Sequence, residues 1–292
     1  MTTAFVLSGG ANLGAIQVGM LRALAERDIT PDLLVGTSAG ALNAAFIANR
    51  GVTAESVDSL AKVWESLSAW RLFRPRARQL IGALAGRQSA LFGAQGLRSL
   101  ITEHLDFDRI EEARTPLTVI ATDLLTGDQV DLDSGPAARA VLASSAICGV
   151  FPAVRLRGRV LVDGGVADNT SISRAIEAGA DTVYVLPCGY PCALSAPPTT
   201  VAGTLLHTMS LLIQKRLIRD IEEYAATVDL RVLPPPCPVA IGPLDFSRAV
   251  ELIDDAHVAA RDFLDVDDGR RTAPADHIAV HSHRRPVTSR GA

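Results

Sequence analysis

The chain has 292 residues with a formal net charge of −4, and 48% of them are hydrophobic and 21% charged. That apolar content supplies a sizeable core and excludes a globally disordered chain, and the slight acidic balance gives no general reason to expect nucleic acid. The length suits one large α/β domain with small additions.

Met1-Thr2-Thr3 leads directly into Ala4-Phe5-Val6-Leu7, which reads as a first strand; the basic start and longer apolar run of a secretory signal are missing. No apolar run reaches the length of a membrane span. A glycine loop follows, then a helix over about 14–27, where Ile16, Met20, Leu21 and Leu24 share a face. Pro31 breaks the chain before a second short strand, Leu33-Leu34-Val35. Helices are expected over 41–49 and about 54–67. Residues 66–102 contain Arg71, Arg74, Arg76, Arg78, Arg87 and Arg98 and no Asp or Glu, interleaved with Trp70, Phe73, Leu80, Ile81, Leu84 and Phe92. This stretch interrupts the strand–helix alternation and reads as a cap inserted near the mouth of a site.

Alternation resumes with a strand at 117–121 and a turn at Gly127 into 129–132. A short helix at 136–144, a strand at 160–162, a helix at 171–178 and the wholly apolar strand 182–186 follow. A long helix is expected over 201–226, a loop at Pro234-Pro235-Pro236 and a last helix over 247–264. From about Asp267 the chain turns polar and Arg/His-rich, as a mobile tail does. This order predicts a mainly parallel sheet covered by helices on both faces, with any ligand beyond the C-terminal strand ends. The hydrolase-type domain would then span 1–266 and the tail 267–292. The four cysteines, Cys148, Cys188, Cys192 and Cys237, lack metal-ligand spacing, so neither a metal nor a disulfide frame is expected, and a reduced, cytoplasmic setting is the simplest inference.

Three loops at predicted strand ends carry unusual chemistry. Gly36-Thr37-Ser38-Ala39-Gly40 lies between a strand and a helix, the context that a G-x-S-x-G nucleophile elbow requires. The bare pattern also occurs in ordinary turns. Ser8-Gly9-Gly10-Ala11-Asn12-Leu13-Gly14 opens the first helix and exposes backbone N–H groups to an anion. A dinucleotide loop would need glycine at position 11 and an acidic residue ending the second strand, and both are missing. An oxyanion hole for an acyl-transfer serine is the other reading. Asp163-Gly164-Gly165 places a carboxylate at a third strand end, where it would reach Ser38 or simply make a turn.

Together these stretches resemble the patatin-like phospholipase family over about residues 4–190. The resemblance rests on Leu7-Ser8-Gly9-Gly10 with Gly14-Ala15, the Ser38 elbow, Ala143-Ser144-Ser145-Ala146-Ile147 with Phe151-Pro152, and Asp163-Gly164-Gly165 with Asn169. It implies a three-layer α/β/α fold and hydrolysis of acyl esters in lipids by a Ser–Asp dyad, with no metal or cofactor. Ser38 would be the nucleophile and Asp163 its base. Gly9, Gly10 and Ala11 would supply oxyanion N–H groups, with Gly14, Gly36, Gly40, Gly164 and Gly165 shaping the loops. The family's third loop glycine is here Ala11, whose N–H survives if its φ stays negative, and its frequent arginine is here Leu13. The lost arginine removes a cation that would meet a lipid phosphate.

Two other functions fit the same residues. A Ser-His-Asp esterase would draw its histidine from His207, His257, His277, His281 or His283. A catalytically silent lipid-surface or regulatory module would keep the fold alone. The arginine–aromatic stretch 66–102 would give peripheral contact with an anionic membrane, Trp70 and Phe73 sitting at the interface.

Overall fold

A computed structural model describes residues 1–73, 87–189, 197–237, 239, 241–242, 245–279 and 281. Its centre is a mixed, mainly parallel sheet. Strands β1 (Thr3–Leu7), β2 (Leu33–Thr37), β3 (Leu117–Asp123), β7 (Thr182–Leu186) and β8 (Asp229–Val232) run parallel in the order β3-β2-β1-β7-β8. β4 (Gln129–Leu132) and β6 (Arg159–Asp163) pair antiparallel with β3, and β5 (Val154–Leu156) pairs with β6.

The strands sort their side chains by the period of two that a pleated strand imposes. Phe5, Leu7, Leu34, Tyr184 and Leu186 enter one core, while Ala4, Val6, Leu33, Val35, Val183 and Val185 enter the other. The first core is roofed by α1 (Gly14–Ala25), α2 (Ala39–Arg50), α3 (Ala54–Ser66), α5 (Gln95–His104), α6 (Ala137–Ser144) and α9 (Ala249–Leu264), with the single turn α4 (Ala69–Leu72) at its margin. The second is covered by α7 (Ile172–Glu177) and α8 (Val201–Tyr224). The result is the expected α/β/α sandwich. No helix among the described residues is long and apolar enough to cross a membrane.

The structure corrects three expectations. The ends of the 66–102 stretch are not a separate cap: Leu72, Phe73, Leu97, Leu100 and Ile101 are buried in the main core. Phe73, expected at a lipid interface, stacks on Phe151 at 5.3 Å and meets Phe92 edge-on at 5.4 Å, whereas Trp70 is 73% exposed. Arg71 pairs with Glu103, and Arg74, Arg76, Arg78, Leu80, Ile81 and Leu84 lie outside the described residues. The segment from Asp267 to Ala279 is not loose, because Ile278 is fully buried in the second core and its carbonyl accepts from Gln214 Nε2 at 2.5 Å; residues 280 and 282–292, His283 among them, lie outside the described residues. Strand β8 carries no wholly apolar run in the sequence, since Asp229 and Arg231 interrupt it; the two side chains pair with each other, and Arg231 also bonds the Tyr184 hydroxyl.

Candidate active site

Register brings the serine and the aspartate together. β2 occupies residues 117–120 of β3 and β6 occupies 121–123, so Thr37 pairs with Ile120 and Asp163 with Ala121. Two chain segments far apart in sequence thus end beside adjacent residues of one strand. Ser38, the next residue after β2, donates its Oγ–H to Asp163 Oδ2 at 2.7 Å. The other carboxylate oxygen, Oδ1, accepts the Gly165 N–H at 2.8 Å.

The serine sits on a sharp turn with φ 53° and ψ −118°, a left-handed φ that a non-glycine residue adopts only under constraint. The turn is held from several sides. The Ser38 N–H donates to Ser144 Oγ at 2.8 Å, and Ser145 Oγ donates to the Ser38 carbonyl at 3.2 Å. Gly40 must lack a side chain, because a Cβ there would fall 2.1 Å from the Leu7 carbonyl oxygen. Gly36, next to last in β2, lies against Ala41 in the same turn.

The glycine loop lies across from the serine. A Cβ on Gly9 would fall 2.4 Å from Asn169 Oδ1 and 3.1 Å from Ser38 Cβ, so the absence of a side chain is what opens the space above the hydroxyl. Asn169 clamps this loop: its carbonyl accepts the Gly9 N–H at 3.2 Å and its Nδ2 donates to the Gly9 carbonyl at 3.1 Å. The Gly9 N–H, expected among the oxyanion donors, is therefore engaged. The N–H groups of Gly10 and Ala11 make no hydrogen bond among the described residues. Ala11 has φ 51°, so its N–H is kept at the expense of a left-handed backbone and not by a negative φ. Gly10 packs on Cys188, Gly14 opens α1 under the Trp64 ring, and Gly164 lies against the Ile120 carbonyl.

Residues without a sequence-assigned role hold these loops. Gln17 Nε2 donates to both the Ser8 and the Leu186 carbonyls, at 2.9 and 2.8 Å. Asn43 Nδ2 donates to Gln17 Oε1 and the Gly14 carbonyl, and Trp64 Nε1 donates to Asn43 Oδ1, all within 2.9 Å. Gln17 and Asn43 are both fully buried. Their signal in the sequence was an amide set among apolar residues in each helix. Thr122 Oγ1 donates to the Asp163 carbonyl at 2.8 Å. The loop beyond Asp163 is pinned by Arg216 of α8, which bonds the Ala167 carbonyl and pairs with buried Asp168 at 3.2 Å.

Burial dominates the electrostatics. It pushes the Asp163 carboxyl from its ordinary 3.8 to about 6, opposed by the hydrogen bonds from Ser38 and Gly165. Burial likewise pushes the Cys188 thiol up to about 12, so it stays protonated behind the glycine loop. No histidine among the described residues bonds Ser38 or Asp163: His257 pairs with Glu26, and His281 meets the Ala279 carbonyl and Cys237. His207 lies on α8, and both carboxylate oxygens of Asp163 are already taken.

The chain is similar to known proteins over much of its length. The chain is 30% identical over 188 residues to patatin-like phospholipase domain-containing protein 7 of Rattus norvegicus, covering 64% of this chain and 13% of that protein. It is 27% identical over 193 residues to lysophospholipase NTE1 of Mycosarcoma maydis, covering 65% and 10%. It is 29% identical over 178 residues to an uncharacterized NTE family protein of Mycobacterium tuberculosis, covering 61% and 46%. The chain thus spans from about a tenth to just under half of the length of these relatives. Among solved structures, VipD from Legionella pneumophila aligns over 90% of this chain and 66% of its own, at 15% identity and a TM-score of 0.47. Residues 5–176, more than half of the chain and including every loop described above, match the profile of one family, and the chain belongs to it: the patatin-like phospholipases.

Proposed function

We propose that the protein is a serine acyl hydrolase that cleaves carboxylic esters of lipids through a Ser38–Asp163 dyad. The observation that carries this reading is the 2.7 Å hydrogen bond from a strained serine hydroxyl to a buried carboxylate, with no histidine between them. Ser38 Oγ attacks the ester carbonyl while its proton passes to Asp163 Oδ2. The Gly10 and Ala11 N–H groups, with that of Ala39 at the N-terminus of α2, receive the negative charge on the carbonyl oxygen. The proton then passes from Asp163 to the departing alkoxide, and the alcohol or lysolipid leaves. Water attacks the acyl-serine and gives its proton to Asp163, the carboxylic acid is released, and the hydroxyl of Ser38 is restored. Asp163 must be ionised, so the rate rises as pH passes through about 6.

The lysophospholipase relative makes a lysophospholipid the first substrate to try. With Leu13 in place of a cation, a neutral acyl ester is the second. The test is labelling by a fluorophosphonate with peptide mapping. Labelling at Ser38 in the wild type, and none in Ser38→Ala or Asp163→Asn, is expected. A folded wild type that does not label would move the protein to the class of silent lipid-surface modules.

A further inference from the structure

Helix α8 is longer than its support. It runs from Val201 to Tyr224, 24 residues, yet is fixed to the body only by its second half, where Gln214, Leu217 and Ile221 are buried and Arg216 grips residues 167–168. From Val201 to Ile213 no described side chain is buried. The helix descends from the site end of the sheet to the opposite end, since β8, which follows it, begins beside Thr182, the first residue of β7. The Arg216 side chain reaches the loop that follows Asp163, and the fifteen helical residues ahead of it extend about 22 Å at 1.5 Å each.

That projecting half has an ordered surface. Val201, Leu205, Thr208, Leu212, Lys215 and Arg219 recur at three- and four-residue intervals and form one stripe opposite the buried Gln214, Leu217 and Ile221. Along it Val201 is 79%, Leu205 63% and Leu212 59% exposed, with Leu206 and Met209 exposed beside them. From Thr182 to Gln214 the sequence has no Asp, Glu, Lys or Arg. The charge that then begins is basic: Lys215 and Arg219 are exposed and carry no ion pair among the described residues. Acidic residues start only at Asp220, one step further from the apolar end. Val166, three residues after Asp163, is also exposed.

We propose that the first half of α8 docks the protein on an anionic lipid surface, its Leu205–Leu212 stripe entering the acyl layer and Lys215 and Arg219 meeting headgroup phosphates. The assignment to lipid rests on the lipid-ester reading above and on the charge order. An apolar tip followed by cations without an ion pair among the described residues matches the depth profile of an anionic bilayer. Val201 to Gln214 is about 21 Å long, too short to cross a hydrocarbon core of roughly 30 Å, so the helix enters one leaflet tip first and does not span the bilayer. Docking there holds the Asp163 loop, tied to α8 through Arg216, against the layer that contains the ester bonds.

The test is flotation of the full chain with vesicles of phosphatidylcholine containing phosphatidylglycerol. Leu205→Asp/Leu212→Asp is expected to weaken binding about 100-fold, and Lys215→Glu/Arg219→Glu to weaken it and remove its salt dependence. Both should leave hydrolysis of a soluble short-chain ester unchanged. A Leu212→Trp reporter in a Trp70→Phe background should shift its emission to the blue on adding vesicles. Unaltered binding in both double variants, or no blue shift, overturns the proposal. Loss of binding in Trp70→Asp but not in the leucine variant overturns it in favour of the 66–102 stretch. A wild-type dimer that the leucine variant dissociates overturns it in favour of self-association. A reporter that enters vesicles while the protein hydrolyses no ester would leave docking standing and refute the hydrolase reading alone.

Discussion

Replacing Asp163 by asparagine should make this protein more stable and less active, and the gain in stability should depend on pH. The carboxyl is buried and its pKa rises from 3.8 to about 6 on folding. A raised acid pKa means that the folded state holds the proton more tightly than the unfolded chain does. The group therefore contributes most below pH 3.8, and its contribution is lost as pH rises through 6. Above both values the penalty for holding the charged form in the fold is about 3 kcal/mol. Asparagine never carries that charge. Its carbonyl oxygen still accepts the Gly165 N–H now taken by Oδ1, and its amide donates to Ser38 Oγ, whose hydroxyl turns to accept. The expected stability difference between Asp163→Asn and wild type is near zero at pH 4 and grows to about 3 kcal/mol at pH 8. Urea unfolding at pH 4, 6 and 8 measures it. A difference that stays constant with pH, or a variant less stable than wild type at pH 8, would refute the reasoning. Fluorophosphonate labelling of the same samples should show that the more stable protein has lost its reactive serine.

Three further substitutions probe how the loops are held. Ala11→Gly relieves a left-handed residue at φ 51°, and after allowance for the freer unfolded chain should stabilise by about 0.5–1 kcal/mol; thermal melts that show a loss would contradict the assigned strain. Gln17→Leu strips donors from the Ser8 and Leu186 carbonyls and should destabilise by roughly 1–3 kcal/mol. Labelling of Ser38 should slow at least about tenfold as the loop shifts, and an unchanged labelling rate in a folded variant would separate the network from the site. Arg216→Ala leaves Asp168 buried without its cation; since the arginine is half-exposed, a cost of about 2 kcal/mol is expected in urea melts, and a neutral result would show that the Thr170 N–H and the Ser171 hydroxyl suffice for that carboxylate.

The sequence by itself determined the layers and singled out the residues proposed here for the site. Apolar runs such as Thr182–Leu186 can lie only in a sheet covered on both faces, and the glycines around Ser38 permit a turn that few other residues tolerate. These are local properties, set within a few residues, so periodicity and motif spacing reveal them. What pairs with what is not local. That Asp163 meets Ser38 followed from β2 and β6 ending beside Ile120 and Ala121, a register that no stretch of sequence contains. The engaged N–H of Gly9 and the chain of amides from Trp64 to Ser8 depend likewise on partners 9 to 160 residues away. The same holds for the errors. Phe73 was placed at a lipid surface because its own segment is basic and aromatic, yet Phe92 and Phe151 close over it. Ile278 was placed in a loose tail because its neighbours are polar, yet a gap in the second core takes it in. Burial is a property of the assembled sheet and helices, and only the tertiary structure decides which side chains lose their water.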